Sequence, residues 1–174
     1  MRRKNILARL EGGDRRSIGR ADEVAAEVAR NHRLFPQLIA GMRSEDTLVR
    51  MRAADATEKV TRESPKLLQP YKRELLGLLA DTSEQELRWH LAAIVPRLWL
   101  DAPERKLASS LLRGYLEDRS SIVRTFALQG LAELAERDLS LRPGVIELLR
   151  AAVRRGTPAM RARGRKLLLW LERR

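Results

Sequence analysis

IVRTFALQGLAEL, residues 122–134, reads as one helix with one buried face. Val123, Ala127, Gly130, Leu131 and Leu134 recur at i, i+4, i+7, i+8 and i+11, which lines apolar side chains along one stripe of a 3.6-residue helix. The same frame occurs three more times without gaps: LVRMRAADATEKV (48–60), ELRWHLAAIVPRL (86–98) and AMRARGRKLLLWL (159–171). An arginine stands at positions 50, 88, 124 and 161, so successive copies step by 38, 36 and 37 residues. An apolar residue precedes each arginine (Val49, Leu87, Val123, Met160), and a small or apolar one follows three later (Ala53, Leu91, Ala127, Gly164). A steady period in this range predicts stacked supersecondary units.

Each copy has an upstream helical partner: LFPQLIAGM (34–42), SPKLLQPYKRELLGLLA (64–80), APERKLASSLLRGYLE (102–117) and RPGVIELLRAAVRR (142–155). The polar breaks RSED, DTSEQ, DRSS and GTP separate the partners. Ser83, Ser120 and Thr157 are expected N-caps, Pro158 suits a first helical position, and Pro65 and Pro103 mark helix starts. The unit is helix, tight turn, helix. SIGRADEVAAEVARN (17–31) reads as an unpaired helix closing the N-terminal end. The expected organisation is a basic segment and capping helix over 1–33, then an array over 34–174. Its repeats run about 34–62, 64–98, 102–136 and 142–174, in a single structural domain.

With an acidic residue, a Val-Arg pair and an alanine-rich continuation, EDRSSIVRTFALQGLAEL and SEDTLVRMRAADA resemble the second helix of HEAT repeats, and the resemblance covers roughly residues 34–171. Pro96 in the second copy, and the lack of an acid before Arg161 in the fourth, depart from that pattern. The resemblance implies an all-α, right-handed α-solenoid of about four HEAT-like helical hairpins plus an N-terminal helical cap. It implies a concave side lined by the second helices. It also implies that Arg50, Arg88, Arg124 and Arg161 form a ladder between repeats, bonding turn groups such as Asp46, Asp81 and Asp118.

At about 100° per residue, Thr125, Gln129 and Ala132 lie opposite the buried stripe of 122–134. Their equivalents are Met51, Asp55 and Glu58, then Trp89, Ala93 and Pro96, then Ala162, Lys166 and Leu169. Met51, Asp55, Trp89, Ala93, Gln129 and Lys166 are therefore the expected lining of a partner-binding groove. Trp89 is either an anchor for a partner or a packing contact between neighbouring second helices. His90 shares the column of Arg52, Phe126 and Arg163 at the stripe's edge and reads as a partly buried packing histidine.

Composition narrows the function classes. Apolar residues make up 44% and charged residues 33%, with good helix formers dominant. With no cysteine there is no disulfide, thiolate ligand or Cys nucleophile. No stretch approaches the roughly 20 apolar residues that cross a bilayer, so a cytoplasmic location and no membrane partner are expected. The net charge of +12 sits at the ends: residues 1–20 hold seven basic groups against two acids, and residues 142–174 hold ten against two. The middle is balanced, which favours a protein or peptide partner and leaves nucleic acid as the alternative. For that alternative the contact patch is Arg161, Arg163, Arg165 and Lys166.

Candidate chemistry is sparse. His32 and His90 are the only histidines and fit no metal-ligand spacing, and EGGD (11–14) reads as a turn in a charged linker rather than a phosphate cradle. HEAT-like DNA glycosylases use tryptophans and an aspartate in a basic groove, which invites comparison with Trp89, Trp99, Asp101 and Trp170. Asp101, followed by Ala102-Pro103, reads instead as a helix N-cap. No cofactor, metal or catalytic residue is expected, and the chain is read as a non-enzymatic interaction scaffold. Leu167 to Leu171 exceed one buried stripe, so Leu169 or Trp170 is expected at the surface, where a partner or a second copy could dock through the C-terminal helix.

Overall fold

Among the described residues, polar turn residues cap four of the α-helices through their side chains: Asp46, Asp101, Ser120 and Thr157. The structure, a computed structural model, describes residues 5–14 and 16–173; Arg2, Arg3, Lys4, Arg15 and Arg174 of the basic ends lie outside the described residues. Among the described residues it contains nine α-helices and no strand. These are α1 (Ala21–Arg30), α2 (Phe35–Gly41), α3 (Thr47–Glu63), α4 (Lys72–Asp81), α5 (Gln85–Ile94), α6 (Ala102–Gly114), α7 (Ser121–Arg137), α8 (Arg142–Arg155) and α9 (Pro158–Glu172). Short 3-10 turns join several of them. No helix is long and apolar enough to cross a membrane among the described residues.

The caps follow side-chain chemistry. Ser120 accepts the Val123 amide, Thr157 accepts the Met160 amide, and Pro158 takes the first position of α9. Asp101 accepts the Glu104 amide while Glu104 returns a bond to the Asp101 amide, a reciprocal capping box. Ser83 is a correction: Glu84 takes the N-cap of α5 without a side-chain cap, and its amide donates to Thr82 Oγ1 at 3.2 Å. Proline also shortens two expected helices. Pro65 opens a 3-10 stretch, Pro65–Tyr71, with Pro70 inside it, so α4 starts only at Lys72. Pro96 ends α5 at Ile94, and Val95–Arg97 continue as a 3-10 turn.

The chain divides into two compact units, Met1–Glu74 and Leu75–Arg174. In the first, α3 packs against α1 and α2. The segment before α1 is an integral part of this unit, not a linker: Ile6 and Leu10 are fully buried, and the Ile6 amide donates to Gln37 Oε1 at 3.0 Å. Arg52 of α3 is 2% exposed and holds this segment. Its guanidinium donates to the carbonyls of Leu10 (2.7 Å), Gly12 (2.6 Å), Asp14 (3.2 Å) and Ser17 (3.1 and 3.2 Å). Four neutral oxygens thus solvate a buried cation. The segment can bend around it because Gly12, Gly13 and Gly19 take positive φ. A Cβ at Gly19 would stand 2.8 Å from the guanidinium carbon.

In the second unit α7 is central, packed against α5, α6, α8 and α9, while α8 and α9 pair closely. The stripe expected to be buried is buried: Val123, Ala127 and Leu131 are sealed from solvent, with Leu134 at 1%. Gly130 lets α5 come near, since a Cβ there would meet the Ala92 carbonyl at 2.6 Å. Each fully buried leucine of this kind stabilises the fold by about 1.5–3 kcal/mol before entropy is counted.

Candidate interaction cleft

The face opposite the stripe is not open along its length. Ala93 is buried at 6% and Pro96 is buried too, which corrects the expectation that Ala93 lines a groove. Thr125 and Ala132, on the same face of α7, are likewise buried, because α7 has a helix on either side and shows little surface between them. In the first unit Glu58 is 6% exposed and binds Arg62 through two bonds of 2.9 and 2.6 Å. Met51 and Asp55 there are half-buried. Asp55 receives Lys59 Nζ at 2.6 Å, and Lys59 also reaches Asp22 of α1 at 2.5 Å. Burial pushes the Lys59 ammonium down, but bonds to these two carboxylates outweigh it and leave its pKa raised. The face opens at α9, where Ala162, Lys166 and Leu169 are exposed, Leu169 at 55%.

Trp89 is half-buried and bridges helices. Its ring lies 5.0 Å from that of Phe126 on α7 and stacks on its chain neighbour His90 at 3.4 Å. The Arg163 guanidinium of α9 covers the other side of the row, 5.8 Å from the Phe126 centroid. One side chain from each of three consecutive second helices therefore meets its neighbour. His90 is 1% exposed, and its Nδ1 lies 2.6 Å from the Glu86 carbonyl, a buried histidine rather than a partly buried one.

Beside this row, between α7 and α9, is a cleft of about 540 Å³ lined by Gln129, Glu133, Glu136, Arg137, Arg163, Lys166, Leu167 and Trp170. Gln129 and Lys166, placed on one surface by the repeat, come together here. Arg163 Nη1 donates to Gln129 Oε1 at 2.7 Å, and Gln129 Nε2 donates to Glu133 Oε1 at 2.7 Å. The amide is thereby held in one orientation between a cation and a carboxylate. Burial pushes the Glu133 carboxyl above its ordinary range, against the Gln129 bond and the charges of Arg97 and Arg137. Arg137 is anchored by Nη1 on the carbonyls of Pro96 (2.9 Å) and Leu98 (3.4 Å). It also borders a second, more apolar pocket of about 410 Å³ with Leu98, Trp99, Leu100, Arg105 and Leu134, where Trp99 is 76% exposed. The sequence reading missed Glu133, Glu136 and Arg137. The available signal was their place one turn (Glu133) and two turns (Glu136, Arg137) beyond Gln129 on the same helix.

The four repeating arginines behave individually. Arg50 donates to the carbonyls of Ser44 and of Glu45 (3.0 Å), within its own turn, where Asp46 caps α3. Arg88 donates to the Thr82 carbonyl at 2.8 Å and reaches Asp118, in the turn before α7, at 2.5 Å. Its guanidinium also covers Tyr115 at 5.1 Å. Burial pushes Asp118 up, but the Ser120 amide and Arg88 outweigh it and leave the carboxyl below its usual range. Burial raises the Tyr115 phenol to about 12, and its hydroxyl donates to the Leu79 carbonyl at 2.6 Å. Arg124 is half-buried and Arg161 exposed. Among the described residues no group of three or more His, Asp or Glu is placed to hold a metal ion. No protein-family profile and no curated protein matches this chain.

Proposed function

We propose that the Leu75–Arg174 unit is a short HEAT-like solenoid, right-handed as that resemblance implies, and that the protein is a non-enzymatic scaffold acting in the cytoplasm. In this reading it holds a protein or peptide segment in the cleft between α7 and α9. The observation that carries it is the composition of that cleft: the half-buried Trp170 offers an apolar anchor, with Arg163 and Lys166 beside it on α9 and Glu133, Glu136 and Arg137 supplied by α7. A large aromatic in a bounded pocket with fixed polar neighbours is the usual core of a peptide-binding hot spot. Gln129 is already oriented by Arg163 and Glu133, so less freedom is lost when a partner binds. A second copy of α9 is a poor occupant, because that helix carries four cations and one acid and would face like charge with like charge.

The test is selection of displayed random peptides on the wild-type chain, followed by affinity measurement on Trp170→Ala. A convergent peptide motif is expected, with affinity falling about tenfold or more in the variant, roughly 1.4 kcal/mol, while the thermal midpoint stays near wild type. Selected peptides that bind both proteins equally would overturn the reading.

A further inference from the structure

The hairpin of α8 and α9 holds two acidic residues, Glu147 and Glu172, and both are bound to the same side chain. Arg150 Nη1 donates to Glu147 at 2.8 Å, and Arg150 Nη2 to Glu172 at 3.3 Å. Among the described residues the other cations of the hairpin have no carboxylate of their own. Arg154, Arg155, Arg161, Arg165 and Arg173 are all exposed, and none forms an ion pair among the described residues. Arg161, Arg165, Leu169 and the C-cap Arg173 follow one another at i, i+4, i+8 and i+12, so they share one strip along α9 and its C-cap, about 18 Å long. This strip borders the side of α9 that carries Arg163, Leu167 and Trp170 into the cleft, and its C-terminal members Leu169 and Arg173 line a pocket with Lys166 and Trp170. Like charges four residues apart destabilise a helix. A helix that only closed an array could use mixed charges on that face without this cost.

We propose that this strip, with the C-terminal end of α8, binds nucleic acid through its phosphate backbone without reading base sequence. Five guanidinium groups with no carboxylate partner among the described residues match phosphate oxygens in charge and in their fork of donors. The surroundings disfavour other polyanions. Insertion into an anionic membrane needs an unpacked apolar helix face, whereas Leu167 and Leu171 of α9 are buried in the protein. A protein interface centres on desolvated apolar or aromatic residues with charges depleted, whereas this strip sets Leu169 among three arginines, with Trp170 beside it in a pocket shared with Lys166 and Arg173. The proposal is independent of the cleft reading.

Anisotropy of a labelled mixed-sequence DNA duplex, measured with the full chain at low and moderate salt, provides the test. Affinity is expected to fall about 10²-fold between roughly 50 and 200 mM salt if four or five phosphates are neutralised. Arg161→Gln with Arg165→Gln should weaken binding about tenfold or more and reduce the salt slope by about two. Lys66→Gln with Lys106→Gln removes the same charge from exposed sites elsewhere, and should bind as wild type. Circular dichroism establishes that both variants are folded. Trp170→Ala should leave duplex binding intact, which separates this outcome from that of the cleft. Equal losses in the two double variants, absence of salt-sensitive binding, or displacement of the duplex by poly-glutamate at equal charge would each overturn the proposal.

Discussion

At the scale of the residue, one column of the repeat carries unlike chemistry in each copy. Arg52, His90, Phe126 and Arg163 are equivalent positions, two after each repeating arginine. Phe126 and Arg163 join the row with Trp89, and His90 is sealed inside the second unit. Arg52 instead becomes the centre to which the carbonyls of Leu10, Gly12, Asp14 and Ser17 turn. Its column marked it as a stripe-edge residue, but not as a buried cation, because its partners are main-chain oxygens some 40 residues away that leave no trace in side-chain pattern. Arg52→Met should destabilise the protein by about 2–4 kcal/mol, since several carbonyls lose charge-assisted donors. Arg52→Lys should not restore it, because an ammonium cannot reproduce the fork. Thermal melts of both variants, with hydrogen exchange along residues 10–20, measure this.

At the scale of the element, helix identity was legible and helix ends were less so. The four second helices formed where the 36 to 38-residue step placed them, because an apolar stripe is a property of a single segment. Ser83 lost its capping role to Glu84, and the expected helix over 64–80 became α-helical only from Lys72, because Pro65 and Pro70 withhold backbone donors from the stretch before it. Packing distance was invisible as well. Gly130 reads as one more small residue of the stripe, yet it sits where α5 and α7 come closest, against the Ala92 carbonyl. Gly130→Ala should therefore destabilise by about 1–3 kcal/mol despite alanine's better helix propensity, because the added methyl forces the two helices apart. Chemical denaturation checks the sign: an alanine variant as stable as wild type would mean the contact is soft.

At the scale of the whole molecule, charge governs the response to pH and salt. The chain carries a net +12 at neutral pH, and protonating carboxylates adds to it. Asp118 and Asp138 have lowered folded pKa values: Asp118 through Ser120 and Arg88 against burial, Asp138 first through Ser140 and then through Arg105. Their stabilisation is present above the unfolded carboxylate range and is lost as pH falls through their folded values. Glu133 has the opposite sign, because burial raises it: its contribution is full in acid and lost as pH rises through its folded value. Two lowered carboxylates and the growing positive charge should dominate. The thermal midpoint is expected to fall steadily below about pH 4 and to recover partly in high salt, which screens the self-repulsion. A midpoint flat down to pH 3 would contradict this.

The sequence by itself determined the helical class, the repeat step, the buried stripe and which residues share a helix face, because each follows from neighbours within one helix. Tertiary structure alone decided how much of the opposite face stays open. Ala93 and Ala132 lie on that face yet are buried, while Lys166 and Leu169 on the equivalent face of α9 are exposed. Burial depends on which helices stand alongside: α7 packs against α5, α6, α8 and α9, whereas α9 packs chiefly against α7 and α8. The meeting of Gln129, Arg163, Glu133 and Trp170 in one cleft, and the spending of both hairpin glutamates on Arg150, likewise arise from side chains on different helices. No periodicity within a single helix records that geometry.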